Sequence, residues 1–405
     1  MLNRLVILKN KIREYEWGSK TFIPELTGAM SPSKNPQAEM WLGVHPSAPS
    51  VALLDDRQIS LNELIRIDPK GTLSPSVAHR FNNDLPFLLK VLAVSRPLSI
   101  QAHPNREQAR RGFEQENLEK IPIESPYRNY KDQNHKPEVI CALTQFWALK
   151  GFCRNEEIID SMEKVGASSI GLELDLLRNQ PEGEGLKNFL ISLLAMEKKR
   201  QGLVVDKIMA GVNDKELLEI PFRWMKRLYN EYPGDIGVLS PLFLNVVELG
   251  SSEAMYIASG EVHCYLEGAG LEIMASSDNV IRGGLTSKHI DVKGLVDILE
   301  FIPHEPKKIL PVPIGNNEAV YPTVNDEFLL SVISLHGGGE GSIYHGPGQR
   351  SAEIIICTAG KARIESVPKG DILEISSGEA LFIPASIEGY EIAGEATLYK
   401  AATPP

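Results

Sequence analysis

The chain has 405 residues, 42% hydrophobic and 23% charged, a make-up that excludes a disordered, collagen-like or low-complexity protein and at about 150 residues per domain predicts two or three domains. Its 53 acidic side chains outweigh 42 basic ones, for a net charge of −11 with no Lys/Arg cluster. Nucleic acid and anionic membrane surfaces are therefore poor partners, and a site for an anionic substrate has to be positive locally.

The first apolar stretch, Leu5 to Leu8, stops at Lys9 and is too short for the core of a signal peptide. No run of 18 apolar residues follows, so no transmembrane helix is expected. The four cysteines (Cys141, Cys153, Cys264 and Cys357) are far apart, with no CxxC. They read as reduced, buried thiols of a cytoplasmic protein, not as a disulfide frame.

In chain order, residues 41–44, 85–94 and 139–149 look like strands between turn-forming residues. One helix interrupts them over residues 106–117, with Asn105 as its cap. From residue 155 the texture becomes helical. Ile158, Met162 and Val165 recur at helical spacing, as do Leu186, Phe189, Leu190 and Leu193, and a further helix is predicted over 215–229. At Val238 the β texture returns, with strands expected at 243–249, 254–258 and 271–275. From residue 311 six more follow at 328–335, 352–358, 362–366, 371–375, 380–384 and 389–392. Short strands at intervals of about 8 to 12 residues argue for jelly rolls. The predicted fold is mainly β with an α insertion: a jelly-roll unit from residues 1–154 and 236–310, a helical domain at 155–235 and a second jelly roll at 311–405.

Four stretches carry chemistry. Gln101 and His103 are two apart, so on a strand they share a face. A His with an amide oxygen beside it can hold a divalent metal, although a His near a Pro is often only hydrogen-bonded at a surface. Residues 130–138 pack Lys131, Asp132, His135, Lys136 and Glu138 against the apolar run 139–143. A carboxylate at the head of a buried strand is costly unless it is paired or metal-bound. The plain alternative is a solvated turn. His263 stands among strand formers with Tyr265 on its face, the pattern of a core histidine when taken alone. Residues 272–288 lead from strand into a polar turn, where Arg282 precedes two glycines and forms, with Thr286 and Lys288, a local cationic edge. Together one Gln, two His and one Glu make a nitrogen and oxygen ligand set without thiolate. That suits catalytic Zn²⁺ with an open position, while ligand type alone leaves Mn²⁺ and Fe²⁺ open.

These stretches resemble type I phosphomannose isomerases. Tyr130, Asp132, Asn134, His135, Lys136, Pro137 and Glu138 match one family signature at every specified position. The run from His263 and Tyr265 through Glu272, Met274, Ala275, Ser277, Asp278 and Asn279 to Arg282, Thr286 and Lys288 matches a second. It departs at Cys264, Gly283 and Ser287, none of which is a ligand or a charge. Further likeness covers Trp17 to Ser19 and residues 38–43, 85–91 and 101–117. The resemblance implies a zinc-dependent cupin enzyme with a helical domain and a second jelly roll, one Zn²⁺ held by Gln101, His103, Glu138 and His263, and an essential arginine at Arg282. It also implies isomerisation of mannose 6-phosphate and fructose 6-phosphate by proton transfer between C1 and C2 through a cis-enediolate.

For that chemistry His135, Lys136 and Glu272 are base candidates, Asp278 could assist ring opening, and Arg282 could stabilise developing charge. Lys288, Ser99, Arg106, Lys90 and Trp17 are candidates for substrate contact. The expected partner is a small hexose phosphate, with no obligate protein partner evident. Two rivals share the scaffold: an iron cupin oxygenase, distinguishable by metal analysis and oxygen uptake, and a non-catalytic sugar-binding cupin, which would not need both Glu138 and Arg282. A second metal site near His336 and His345 lacks a completing ligand at strand spacing.

Overall fold

The computed structural model describes residues 3–54, 57–212, 219–315, 317–336, 343–368 and 370–404. Two large antiparallel sheets dominate it, of eleven and ten strands among the described residues, and a helical block packs beside the second. No described helix is long and apolar enough to cross a membrane.

The ten-stranded sheet carries the candidate residues. Its spine is the strand His263–Ala275, which pairs along one edge with Phe87–Val94 and along the other first with Phe146–Phe152 and then with Glu138–Ala142. Residues 139–149, predicted as one strand, are thus two strands. The second pairs onward with Leu244–Leu249, whereas the first pairs with Ala254–Ile257. The turn between them is closed by Ala269 N–H donating to Thr144 Oγ1 at 2.9 Å. Apolar residues flank this turn on both sides, so hydrophobicity does not reveal it. The spine strand also starts eight residues earlier than predicted. It absorbs a register shift between Tyr265 and Glu267, beside Gly268 at φ +120°, a backbone conformation that glycine reaches without strain.

The eleven-stranded sheet is not confined to the C-terminal segment. Val6–Lys9 pairs with Ala380–Ile383 on one side and with Val51–Leu54 on the other, with Val6 opposite Phe382 and Ile7 opposite Leu53. A division by chain position therefore is not a division by sheet. The apolar core agrees, since Val91, Val139 and Leu271 pack in one cluster with Tyr321, Ile354 and Tyr399. The predicted strands 352–358 and 362–366 are one strand, Glu353–Val367, bent by a register shift after Cys357, and the last strand continues to Ala402.

The predicted helix after Asn105 is Arg106–Leu118, closed by a capping box in which Asn105 and Gln108 each accept the other's backbone N–H. Among the described residues between 155 and 231, five α-helices follow: Asn155–Lys164, Gly171–Asn179, Glu182–Leu194, Lys198–Gly211 and Ile220–Glu231. The start of the helix predicted at 215–229 lies outside the described residues up to 218. Ile158, Phe189, Ile208 and Met225 from this block join one core with Ile100, Leu149, Cys264 and Ile281. The block thereby buttresses the strands that hold Gln101, His263 and Arg282. Three short helices, Leu61–Ile67, Pro69–Leu73 and Pro75–Arg80, were not anticipated. Two of them begin with Pro and are capped by Asp68 and Ser74, a local signal that the hydrophobic pattern does not carry. Cys141, Cys264 and Cys357 are buried, and all four cysteines are free; burial pushes the Cys141 thiol up to about 11, so it stays protonated.

Candidate functional site

Strand register gathers the site. His263 lies opposite Gln101, and Gln101 lies opposite Arg282 on its other side, so three adjacent strands place an imidazole, an amide and a guanidinium in one row. Glu138 opens its strand opposite Met274, and His103 follows the short strand Ile100–Ala102.

The result is a compact donor cluster. His103, Glu138 and His263, each at most 1% exposed, bring ligand atoms within 4.8 Å of one another. Nε2 of His103 and Nε2 of His263 each stand 3.5 Å from a different oxygen of Glu138. The amide of Gln101 lies 3.4 Å from Nε2 of His263, and a half-turn of that amide offers its oxygen. Both imidazoles are oriented from behind. Nδ1 of His103 donates to the Asn279 carbonyl at 2.7 Å, and Nδ1 of His263 donates to the Glu261 carbonyl at 3.1 Å. A carbonyl only accepts, so the proton sits on Nδ1 and each Nε2 turns its lone pair to the common centre.

Two inward atoms, Nε2 of His103 and Oε2 of Glu138, are buried without a hydrogen-bond partner. Such orphaned acceptors are costly, and a divalent cation would satisfy both at once. The protonation states agree. Burial would raise Glu138, but Lys136, His103 and His263 hold it well below the usual carboxylate range. Burial and Lys136 lower His103, and burial with its His103 neighbour lowers His263 to about 4. Two neutral imidazoles, one carboxylate and one amide, without thiolate, fit zinc with an open coordination position.

The cluster opens into a cavity of about 440 Å³ lined by Trp17, Lys90, Ser99, Gln101, Lys136, Glu138, Glu272, Arg282 and Lys288. Lys136 Nζ is 3.1 Å from Oε1 of Glu138. Lys90 Nζ is 2.9 Å from Glu272 and 4.0 Å from Glu39, and it lies 5.3 Å over the Trp41 ring. Register explains this stack, because Trp41, Lys90 and Glu272 are opposite one another on three neighbouring strands. Burial would lower Lys90, but Glu272 and Glu39 hold its ammonium well above the usual range. Burial raises Glu272 despite Lys90. Half-buried Arg282 has no hydrogen-bond or ion-pair partner among the described residues, and burial lowers its affinity for its proton. At the mouth Lys288 is lowered, first by Arg282 and then by burial. Two adjacent cations without an acidic partner among the described residues form the positive pole that the acidic composition requires.

Three sequence candidates lie elsewhere. His135 and Lys136 are adjacent, yet Lys136 lines the cavity while His135 Nε2 meets Glu327 at 2.6 Å. Arg106 joins that pair, 2.5 Å from Glu327. Asp278 binds His45 at 3.0 Å and faces a neighbouring cavity with Arg13 and Lys131. His336 is exposed, and His345 pairs with Glu391 at 3.2 Å; among the described residues, neither belongs to a group of three metal-ligating side chains.

Two contributors escaped the sequence reading. Glu39 flanks Lys90 and accepts from Trp41 Nε1; a lone Glu in the buried strand Glu39–Leu42 was the signal. Asn279, fully buried, bonds Lys131 N, Asp132 N and O and Asn134 O. With Asp132 accepting from Ser277 Oγ and Asp278 N, it clamps the two signature stretches together and holds the carbonyl behind His103.

Residues 5–155 match the model of the family described as "Phosphomannose isomerase type I, catalytic domain". Over 395 residues the chain is 38% identical to the mannose-6-phosphate isomerase of Escherichia coli, covering 96% of this chain and 97% of that one. The chain belongs to the type I phosphomannose isomerase family. The family's human mannose-6-phosphate isomerase is 32% identical, with 95% and 94% covered. A crystal structure described as holo, zinc-bound mannose 6-phosphate isomerase superposes with a TM-score of 0.89 at 36% identity, covering 99% of this chain and all of that one. The phosphomannose isomerase of Salmonella typhimurium superposes equally well in a lysine-to-alanine variant, with the same identity and coverage.

Proposed function

We propose that this chain is a zinc-dependent aldose–ketose isomerase that interconverts mannose 6-phosphate and fructose 6-phosphate. The observation that carries the reading is the buried trio His103, Glu138 and His263, with two orphaned acceptors, set in one cavity with the unpaired Arg282. Relatives bearing that activity in their names and the zinc-bound neighbour support it.

Gln101, His103, Glu138 and His263 would hold the zinc ion, which supplies Lewis-acid polarisation of the sugar's oxygens. Lys288 and Ser99, at the rim, bind the phosphate of the substrate. Arg282 faces the charge that develops on oxygen in the cis-enediolate and stabilises it from a fixed position. Trp17 and the Lys90–Glu272 pair shape the wall and exclude water. Proton transfer between C2 and C1 falls to Lys136 or Glu272, the two base candidates that face the cavity; His135 faces away from it. Replacing Lys136 with Met and Glu272 with Gln, one at a time, separates them, because loss of the base abolishes exchange of the C2 hydrogen with solvent even when metal and substrate still bind.

A coupled assay with mannose 6-phosphate tests the whole reading. Activity should vanish on chelation and return with zinc. Failure of the zinc-loaded protein to interconvert the two hexose phosphates would end it.

A further inference from the structure

A second cavity, of about 480 Å³, opens on the other side of the 133–138 segment, between the short helices after residue 60, the helix Arg106–Leu118 and the loop at Glu327. Four arginines line it: Arg66, Arg80, Arg106 and Arg110. The two on the long helix are four residues apart and share one face. Two acids line it with them, and the exposed carboxylate of Asp326 lies 3.9 Å from Arg80. Glu327, 2% exposed, is consumed by Arg106 at 2.5 Å and His135 at 2.6 Å, which leaves Asp84. Arg80 is steadied by the carbonyls of Pro404 and Asp326 and lies 5.1 Å from the Phe81 ring centroid. Arg66 and Arg110 have no hydrogen-bond or ion-pair partner among the described residues.

All four are exposed, so an incoming anion can reach them, and gathered in one concavity they make the local potential positive in a chain of net charge −11. The guanidinium fork matches phosphate oxygens two at a time. The volume is that of a small-molecule site and exceeds what an inorganic ion needs, and Phe81 and Leu85 supply apolar wall for a carbon skeleton. We propose that this cleft is a second anion site, separate from the zinc cavity, for a small organic phosphate.

The test is calorimetric titration of the zinc-loaded full chain with propane-1,3-diol bisphosphate, a flexible probe with two phosphate groups. Binding should weaken with added salt and should fall about a hundredfold in the Arg66→Ala/Arg110→Ala double variant, roughly tenfold for each lost guanidinium. It should recover in part in the Arg66→Lys/Arg110→Lys variant, which keeps the charge, and persist in Arg282→Ala. An isotherm unchanged by the double Ala variant, binding abolished by Arg282→Ala, or no binding at millimolar probe overturns the proposal.

Discussion

Replacing Asn279 with Ala should loosen the metal site without touching a ligand. The fully buried side chain makes four hydrogen bonds to backbone groups of Lys131, Asp132 and Asn134, between 2.7 and 3.2 Å long. At a net value of about 1 kcal/mol each, their loss would cost about 4 kcal/mol if nothing replaced them. The three partner residues are themselves only half-buried, so water recovers part of that, and a loss of about 2–4 kcal/mol is expected. The backbone carbonyl that orients His103 survives the substitution but loses its anchor. Outer-shell disruption of this kind typically costs about 10- to 100-fold in metal affinity. Denaturant unfolding and zinc competition against a chromophoric chelator measure the two effects. Wild-type zinc affinity combined with a stability loss below about 1 kcal/mol would refute the view that Asn279 ties the two signature stretches to the ligand set.

Other outcomes can be checked directly. Glu138→Ala should lose zinc and activity together, as measured by metal analysis and turnover; a metal-free variant with full turnover would remove Glu138 from the site. Arg282→Ala should retain zinc while kcat falls by about 10² or more, the typical cost of losing one preorganised charge donor; a wild-type rate would exclude it from the chemistry. In the eleven-stranded sheet, buried Lys400 lies 2.7 Å from Glu318 and 3.5 Å from Glu353, so Lys400→Met should destabilise by about 3–5 kcal/mol by stranding buried carboxylates. Burial already raises Glu353 and Lys400 opposes that rise. The variant's folded-state pKa for Glu353 therefore stands further above its unfolded value, and the deficit should grow as pH rises above the ordinary carboxylate range and shrink below it. Denaturation midpoints that shift the other way with pH would contradict this.

The proposed ligands and Arg282 drew notice in the sequence chiefly as a set, since His263 taken alone has the pattern of a core histidine. A Glu at the head of an apolar run and an Arg before paired glycines each demand a reason. The strand and helix periods likewise announced a mainly β fold with a helical region. What the local pattern could not carry was direction and partnership. His135 and Arg106 stand in or beside the matching stretches yet meet Glu327, because that partner lies far along the chain and only the fold brings it to them. Glu39 stayed unnoticed as a site residue because its meaning depends on Lys90, 51 positions along the chain and on a neighbouring strand.

Composition and spacing by themselves determined the fold class, a candidate set of nitrogen and oxygen donors and the need for a locally positive site if the substrate is anionic, since hydrophobic periodicity and donor chemistry are local properties. Only the tertiary structure decided that Arg282, Gln101 and His263 form one row, that Lys136 but not His135 enters the cavity, and that the strand Val6–Lys9 completes a sheet with residues near 380. Those outcomes depend on register between strands far apart in the chain, where a shift of one residue turns every side chain to the opposite face.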